Sequence, residues 1–198
     1  MQNVRIQIRP FHNLPAPLGN SVALLTMPDA DGNIAMTNLP EALFFVAGIL
    51  GLPADGYVSE MRQGSRSIMD DGIVTVGKTM PDPLEVVISR GGGTIAGTVQ
   101  DAQHRPVIGA RVFLIPDLPR RGNLLLYKTP ASSTMGAFSI TGVAPGAYKI
   151  FAWDVMPPQG AEQNSEFLSR YDALGTPVIV NTGAPATNIQ VSLIPANR

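Results

Sequence analysis

Cysteine is missing from all 198 residues, so a disulfide framework, a thiolate nucleophile and a cysteine-based zinc site are each excluded. Histidine is nearly missing: His12 and His104 are the whole supply of imidazole. An excess of either charge is also lacking, with 14 basic and 15 acidic residues and a net charge of −1. No global field therefore draws the chain toward a phosphate backbone or an anionic lipid surface, and nucleic acid is not an expected partner. The one adjacent basic pair, Arg120 and Arg121, stands between Pro119 and Gly122 and reads as solvated loop surface. Long apolar runs are absent too. The best candidate, residues 42–52, is roughly half the length a spanning helix needs and is broken by Gly48 and Gly51, so no transmembrane segment is expected. Arg5 and Arg9 lie inside an alternating pattern, not in a charged region followed by an apolar one, so no signal peptide is expected, and the chain is expected to be part of a longer one.

What is present is apolar content of 44%, with 20 glycines and 18 prolines scattered as turn punctuation. That combination argues against disorder and for many short elements. Period-two alternation dominates: Val4, Ile6 and Ile8 alternate with Arg5, Gln7 and Arg9, the pattern of a half-buried strand. Comparable runs predict strands at 21–27, 33–37, 43–49, 73–76 and 84–89, then at 94–100, 110–115, 124–128, 137–140, 148–153, 177–180 and 188–194. One short helix is predicted over 165–174, where Ser165 can cap, Phe167, Leu168 and Tyr171 share a face and Gly175 stops the chain.

The two halves read as copies. Residues Asp31 to Leu39 align with Met135 to Val143, with Gly136 standing 104 positions after Gly32, and the same offset sets Phe44 and Val46 beside Tyr148 and Ile150. Val22 to Leu25 align with Val112 to Ile115 at an offset of 90, which leaves a longer connection in the second copy at 117–133. Arg90-Gly91-Gly92-Gly93 falls between them and supplies a flexible or tightly turning hinge. The expected architecture is all-β: two tandem Greek-key sandwiches of prealbumin or immunoglobulin-like type, over 1–90 and 91–198, with one short helix near 165–174.

In the second copy, Gly93-Thr94-Ile95-Ala96-Gly97-Thr98-Val99-Gln100-Asp101, Arg105-Pro106-Val107-Ile108-Gly109-Ala110-Arg111-Val112-Phe113-Leu114, Gly136-Ala137-Phe138-Ser139-Ile140 and Val143-Ala144-Pro145-Gly146-Ala147-Tyr148 stand in order. This pattern resembles the carboxypeptidase regulatory-like domain, a transthyretin-like sandwich related to the collagen-adhesin B type. The resemblance covers residues 93–155 closely and 156–195 in outline. The first copy keeps Asp31-Gly32 and Leu39-Pro40 but has Glu41-Ala42 where the second has Pro145-Gly146. What the resemblance implies is a non-catalytic accessory, adhesive or spacer module of an exported or cell-envelope bacterial protein, extracellular, periplasmic or associated with the outer membrane. The peptidase activity of that family belongs to a separate domain that this pattern does not include.

The residues themselves point the same way. Neither histidine belongs to an H-E-x-x-H spacing, and Gly64-Ser65-Arg66-Ser67-Ile68 lacks the second glycine of a nucleophile elbow. Asp29-Ala30-Asp31-Gly32-Asn33 begins like a calcium loop, but the closing acid twelve positions along would be Pro40. A sandwich-loop site drawing on Asp29, Asp31, Asp70 or Asp71 stays open beside the plain Asp-Gly turn. No catalytic residue, metal site or cofactor is expected. One feature points to a ligand. Alternation along 148–153 places Tyr148, Ile150 and Ala152 on one face and Lys149, Phe151 and Trp153 on the other, so both faces carry apolar weight. Phe151 and Trp153 pack under the helix or against the first module, or else form an exposed platform, joined by Tyr127 and Tyr171, that stacks on a sugar face or a protein partner. The partners left open are thus a protein or a polysaccharide.

Overall fold

In a computed structural model of the chain, described over residues 4–11, 24–26, 28–133, 135–155 and 164–195, the protein is all-β with one short α-helix. The chain divides into two compact units: Met1–Pro53, Val58–Ile88 and Gly122–Leu125 form the first, and Ala54–Tyr57, Ser89–Arg121 and Leu126–Arg198 the second. Each unit therefore draws on chain from both sides of residue 90. Among the described residues no helix is long and apolar enough to cross a membrane.

The first unit is a pair of sheets. Strands β1 (Arg5–Pro10), β2 (Leu24–Thr26), β3 (Ala42–Leu50), β4 (Tyr57–Gln63), β5 (Arg66–Ser67), β6 (Ile73–Val76) and β7 (Leu84–Ser89) sort into one sheet of order β2-β1-β3-β6 and another of order β5-β4-β7. The alternation in β3 sends Phe44 and Val46 inward, where they are fully buried with Ile8, Val74 and Val76 against Val58, Met61 and Ile68. That is the burial expected when a period-two pattern meets one apolar face. Asn123 and Leu125 complete the unit from afar in sequence. Asn123 is wholly buried, donates from Nδ2 to the Met69 carbonyl at 2.8 Å and accepts from the Leu125 N–H at 3.2 Å, while Leu125 packs on the core.

The second unit holds β8 (Gly93–Gln100), β9 (Arg111–Pro116), β10 (Ala137–Val143), β11 (Gly146–Trp153), α1 (Ser165–Tyr171), β12 (Thr176–Val180) and β13 (Pro185–Ile194). Its strands run in the order β10-β8-β13-β11-β12, with β9 on the other side of β11. β13 runs parallel to β8 along most of its length and then parallel to the end of β11, at Ala152 and Trp153, so it joins β8 to β11 within one six-stranded sheet. Tyr148 is buried and its hydroxyl donates to the Ala144 carbonyl at 2.9 Å, closing the turn that opens β11. Burial pushes that phenol up to about 12.

Several expectations need correction. Residues 33–37 form no strand. There the Asp29 carboxylate accepts from the N–H groups of Asp31 and Asn33 and holds an irregular turn. Residues 124–128 are a 3-10 turn over Leu124–Leu126 followed by an isolated bridge at Lys128. The polar hairpin β4–β5 carried no apolar alternation and went unpredicted. The helix is capped by Asn164, not Ser165: its Oδ1 accepts from Glu166 N at 2.9 Å and Phe167 N at 3.1 Å. Gly175 does not end it through a left-handed turn, since its φ is −72°; a Cβ there would lie 2.7 Å from Phe151 Cζ. Phe44, Val46, Tyr148 and Ile150, which the repeat register aligns, are all buried in strands, but β2 lies beside β1 whereas β9 lies beside β11.

The glycines between the halves permit close approach. The Asp55 carboxylate pairs with Arg90 Nε at 2.7 Å and accepts from Gly91 N at 3.2 Å, and the Asp55 carbonyl accepts from Gly92 N at 2.8 Å. A Cβ on Gly92 would lie 2.9 Å from Gly142 Cα. Gly97 in mid-β8 is equally constrained, because a Cβ would overlap the Ile189 carbonyl of β13 and meet the Phe138 ring. Gly97→Ala should therefore lower the stability of the second unit by about 3 kcal/mol, the upper range for overpacking, read as a drop in the urea midpoint. An unchanged midpoint would show that β13 does not approach β8 so closely.

Candidate functional site

The aromatic face singled out in the sequence is buried. β9 pairs with β11 in antiparallel register, Phe113 opposite Phe151 and Arg111 opposite Trp153. This sets Phe113, Ile115, Phe151 and Trp153 side by side, all buried, and α1 closes over them with Leu168, which is fully enclosed. Trp153 stacks on Phe151 at 5.2 Å between centroids and meets Phe113 and Tyr171 edge-on at 5.1 and 6.0 Å. Tyr171 in turn packs on Phe167 at 4.9 Å. Tyr127 and Tyr171 are half-buried at the margin of this cluster. The structure thus brings the four expected residues, Phe151, Trp153, Tyr127 and Tyr171, into one cluster, but as packing. The exposed stacking platform is corrected, because a strand apolar on both faces takes the helix as its cover. Trp153 Nε1 is enclosed without a hydrogen-bond partner among the described residues.

A charged network borders this cluster, and sequence reading missed it. Arg121, whose sequence setting predicts solvated loop surface, is 11% exposed and reaches Asp117 at 3.1 Å and Asp172 at 2.9 Å. Lys149, the third residue on the outer face of β11, donates to Asp172 Oδ2 at 3.0 Å and to the Asp172 carbonyl at 3.2 Å. The Tyr127 hydroxyl donates to the Arg121 carbonyl at 2.8 Å. These contacts tie the end of α1 to the sheet and to the loop after β9. Partial burial pushes the Asp172 carboxyl up, and hydrogen bonds from Lys149 and Arg121 more than reverse it, leaving it below its ordinary value. Nothing in the network is arranged as a nucleophile with its base.

The remaining candidates serve turns. His104 has φ of +60° in a tight turn in which the Asp101 carboxylate accepts from Gln103 N, Arg105 N and Arg105 Nε. His12 lies outside the described residues. Asp71 accepts from Ile73 N and pairs with Arg66, and the Asp29 oxygens are taken by their own turn. Among the described residues no group of three or more His, Asp or Glu side chains converges as a metal site would require.

A concavity lies in the first unit. A cleft of about 600 Å³ opens between its sheets, within the size range of ligand sites. Ile6 and Ile8 of β1, Val74 and Val76 of β6, and Leu84 and Val86 of β7 form its apolar walls. Its charged lining residues are Asp82 and Glu85. Gln63 lies at its margin and carries two hydrogen bonds to β6. No sequence signal marked this site, since its walls are ordinary strand residues brought together by sheet pairing.

No family model matches the chain, and no curated protein matches it. Among solved structures, the minor pilin of Streptococcus agalactiae is 10% identical, with 100% of this chain and 86% of that chain covered and a TM-score of 0.36. The shaft pilin SpaA of Lactobacillus rhamnosus GG is 14% identical, with 97% and 88% covered and a TM-score of 0.33. The major pilin subunit of Bacillus cereus is 17% identical over 58% of this chain, which spans 32% of that one, with a TM-score of 0.30. Likenesses this faint carry no argument about what the chain does.

Two outcomes follow from the buried face and its network. The Asp172 pKa is depressed in the folded state, so the ionised carboxylate adds stability that is present above the ordinary value of 3.8 and fades as pH falls through the depressed one. Asp172→Asn should cost about 1 kcal/mol at pH 7, a small figure because water reaches the pair, and the gap to the parent protein should narrow in urea titrations as pH falls below the ordinary carboxyl value of 3.8. An equal gap across that range would remove the ion pair from the account. Trp153 emission should stay constant when oligosaccharides are titrated in, since no ring face of Phe151 or Trp153 is presented; a saturable shift would restore the platform.

Proposed function

We propose that the chain is a non-catalytic structural and interaction module, a tandem pair of sandwiches dividing near residue 90, of an exported or cell-envelope bacterial protein. The observation that carries this reading is how the reactive side chains are used. Arg121, Lys149 and Asp172 hold α1 to its sheet, Tyr148 closes a turn, and Asp29, Asp71 and Asp101 satisfy backbone N–H groups in loops. A reaction would need such groups free and convergent on one space. Location follows from the resemblance of residues 93–155 to the carboxypeptidase regulatory-like domain, whose members serve as accessory or adhesive modules outside the cytoplasm.

Proteinase K treatment of intact cells that make the protein tests the location. The immunoblot signal for this chain should be lost or shortened while a cytoplasmic marker survives; full protection of the chain until the cells are lysed would place it inside and end the reading.

A further inference from the structure

The free edge of β6 is closed by side chains where a sheet would place another strand. Among the described residues β6 pairs with β3 along one edge only. On the other, Thr75 donates its N–H to Gln63 Oε1 at 2.9 Å and its carbonyl accepts from Gln63 Nε2 at 2.7 Å. One turn of the pleat away, Ile73 donates to Asp71 Oδ1 at 2.9 Å and accepts from Arg66 Nη1 at 3.3 Å. Asp71 and Arg66 are also ion-paired with each other. A carboxamide is a peptide group without the chain, so Gln63 stands where the amide of a neighbouring strand would stand. The pairing is open to water and its net strength is low, which makes it displaceable.

What lies beside this edge names the occupant. Gln63 also lines the cleft, together with Val74 and Val76, the two inward residues of β6. A strand laid along β6 in place of Gln63 would exchange hydrogen bonds with Thr75 and turn alternate side chains to the mouth of an apolar trench. Backbone pairing plus pockets for alternate residues is the recognition mode of strand addition. The charged lining residues are both acidic; Glu85 is paired with Arg62 at 3.1 Å, which leaves Asp82 as the lining charge that a ligand would meet, and no lysine or arginine lines the cleft. Charge complementarity therefore favours a basic flank.

We propose that the β6 edge and the adjoining cleft form a strand-addition site for an extended peptide with β-branched residues at alternate positions and a basic residue at its ends, with Gln63 as the displaceable cover. This deepens the reading of the chain as an interaction module and rests on it. Binding in solution does not depend on where the chain resides, so failure here and failure of surface exposure are separate results.

Fluorescence anisotropy with the 198-residue chain and a labelled peptide of sequence Lys-Val-Thr-Val-Thr-Val-Lys provides the test. The peptide should bind saturably, and Gln63→Ala should bind it about fivefold tighter because the internal competitor is gone. Gln63→Glu, which keeps the acceptor and loses the donor, should show a smaller gain and covers the case in which the alanine variant fails to fold. Exchanging both lysines for glutamate should weaken binding, and N-methylating the peptide backbone should abolish it. Equal binding of the N-methylated peptide, or affinity unmoved by both Gln63 variants, overturns the proposal. So does a Gln63→Ala protein that sediments as a dimer and gains no peptide affinity, since a second copy of the chain would then be the occupant.

Discussion

A strand that is apolar on both faces has to be covered twice, and β11 imposes that condition on the second unit. Tyr148, Ile150 and Ala152 fill one side of its sheet, while Phe151 and Trp153 face the other. Leaving the second set in water would expose two large rings at a cost of a few kcal/mol. Helix α1 is the cover. Seven residues are too few for a helix that stands alone, so its stability comes from the contact it makes and from the Asn164 cap. Around the rim, Lys149 alternates with the rings on the same face and carries its ammonium to Asp172 at the end of the helix. Covering Trp153 has its own cost, because Nε1 loses water without gaining a partner among the described residues.

Close backbone approach is the second constraint, and it explains where glycine is obligatory. Gly97 lets β13 lie against β8, and Gly175 lets the Phe151 ring lie against the chain that leaves the helix. Gly142, at φ of +62°, sits so near the segment around Asp55 that a Cβ would come within 2.8 Å of the Gly56 carbonyl. The stretch Arg90-Gly91-Gly92-Gly93, which the sequence leaves open as flexible or tightly turning, is tightly held. The carboxylate and carbonyl of Asp55 take up the N–H groups that these bare residues present.

Much of the strand inventory was legible because burial on one face leaves a period of two in the sequence. β6 and β7 were predicted to the residue, and β8, β9, β11 and β12 to within one or two positions. The losses have physical causes. No strand was predicted at β4 or β5, since only Val58 and Met61 of Tyr57–Gln63 reach the core. Residues 33–37 alternate correctly yet have no strand beside them, and alternation alone cannot supply one. At the candidate sites, the grouping of Phe151, Trp153, Tyr127 and Tyr171 was visible, but whether the group faces water depends on a helix whose placement no local pattern encodes. Arg121 looked exposed because its partner Asp172 lies far along the chain.

The same limit applies to the lateral order of strands in the two units. Phe44 and Tyr148 occupy matching buried positions, because a hydrophobic pattern specifies which face turns inward. It does not specify which strand lies alongside, and β3 takes β1 and β6 as neighbours where β11 takes β9, β12 and the end of β13. Lateral order is decided by hydrogen bonding at strand edges, where the residues that matter are polar. In the first unit the edge of β6 falls to Gln63, Arg66 and Asp71, whose bonds satisfy a row of groups that would otherwise invite another chain. An edge closed by a neighbouring strand belongs permanently to its sheet. An edge closed by side chains differs in kind: it is protected against chance pairing, yet what covers Thr75 is a single carboxamide and not a strand.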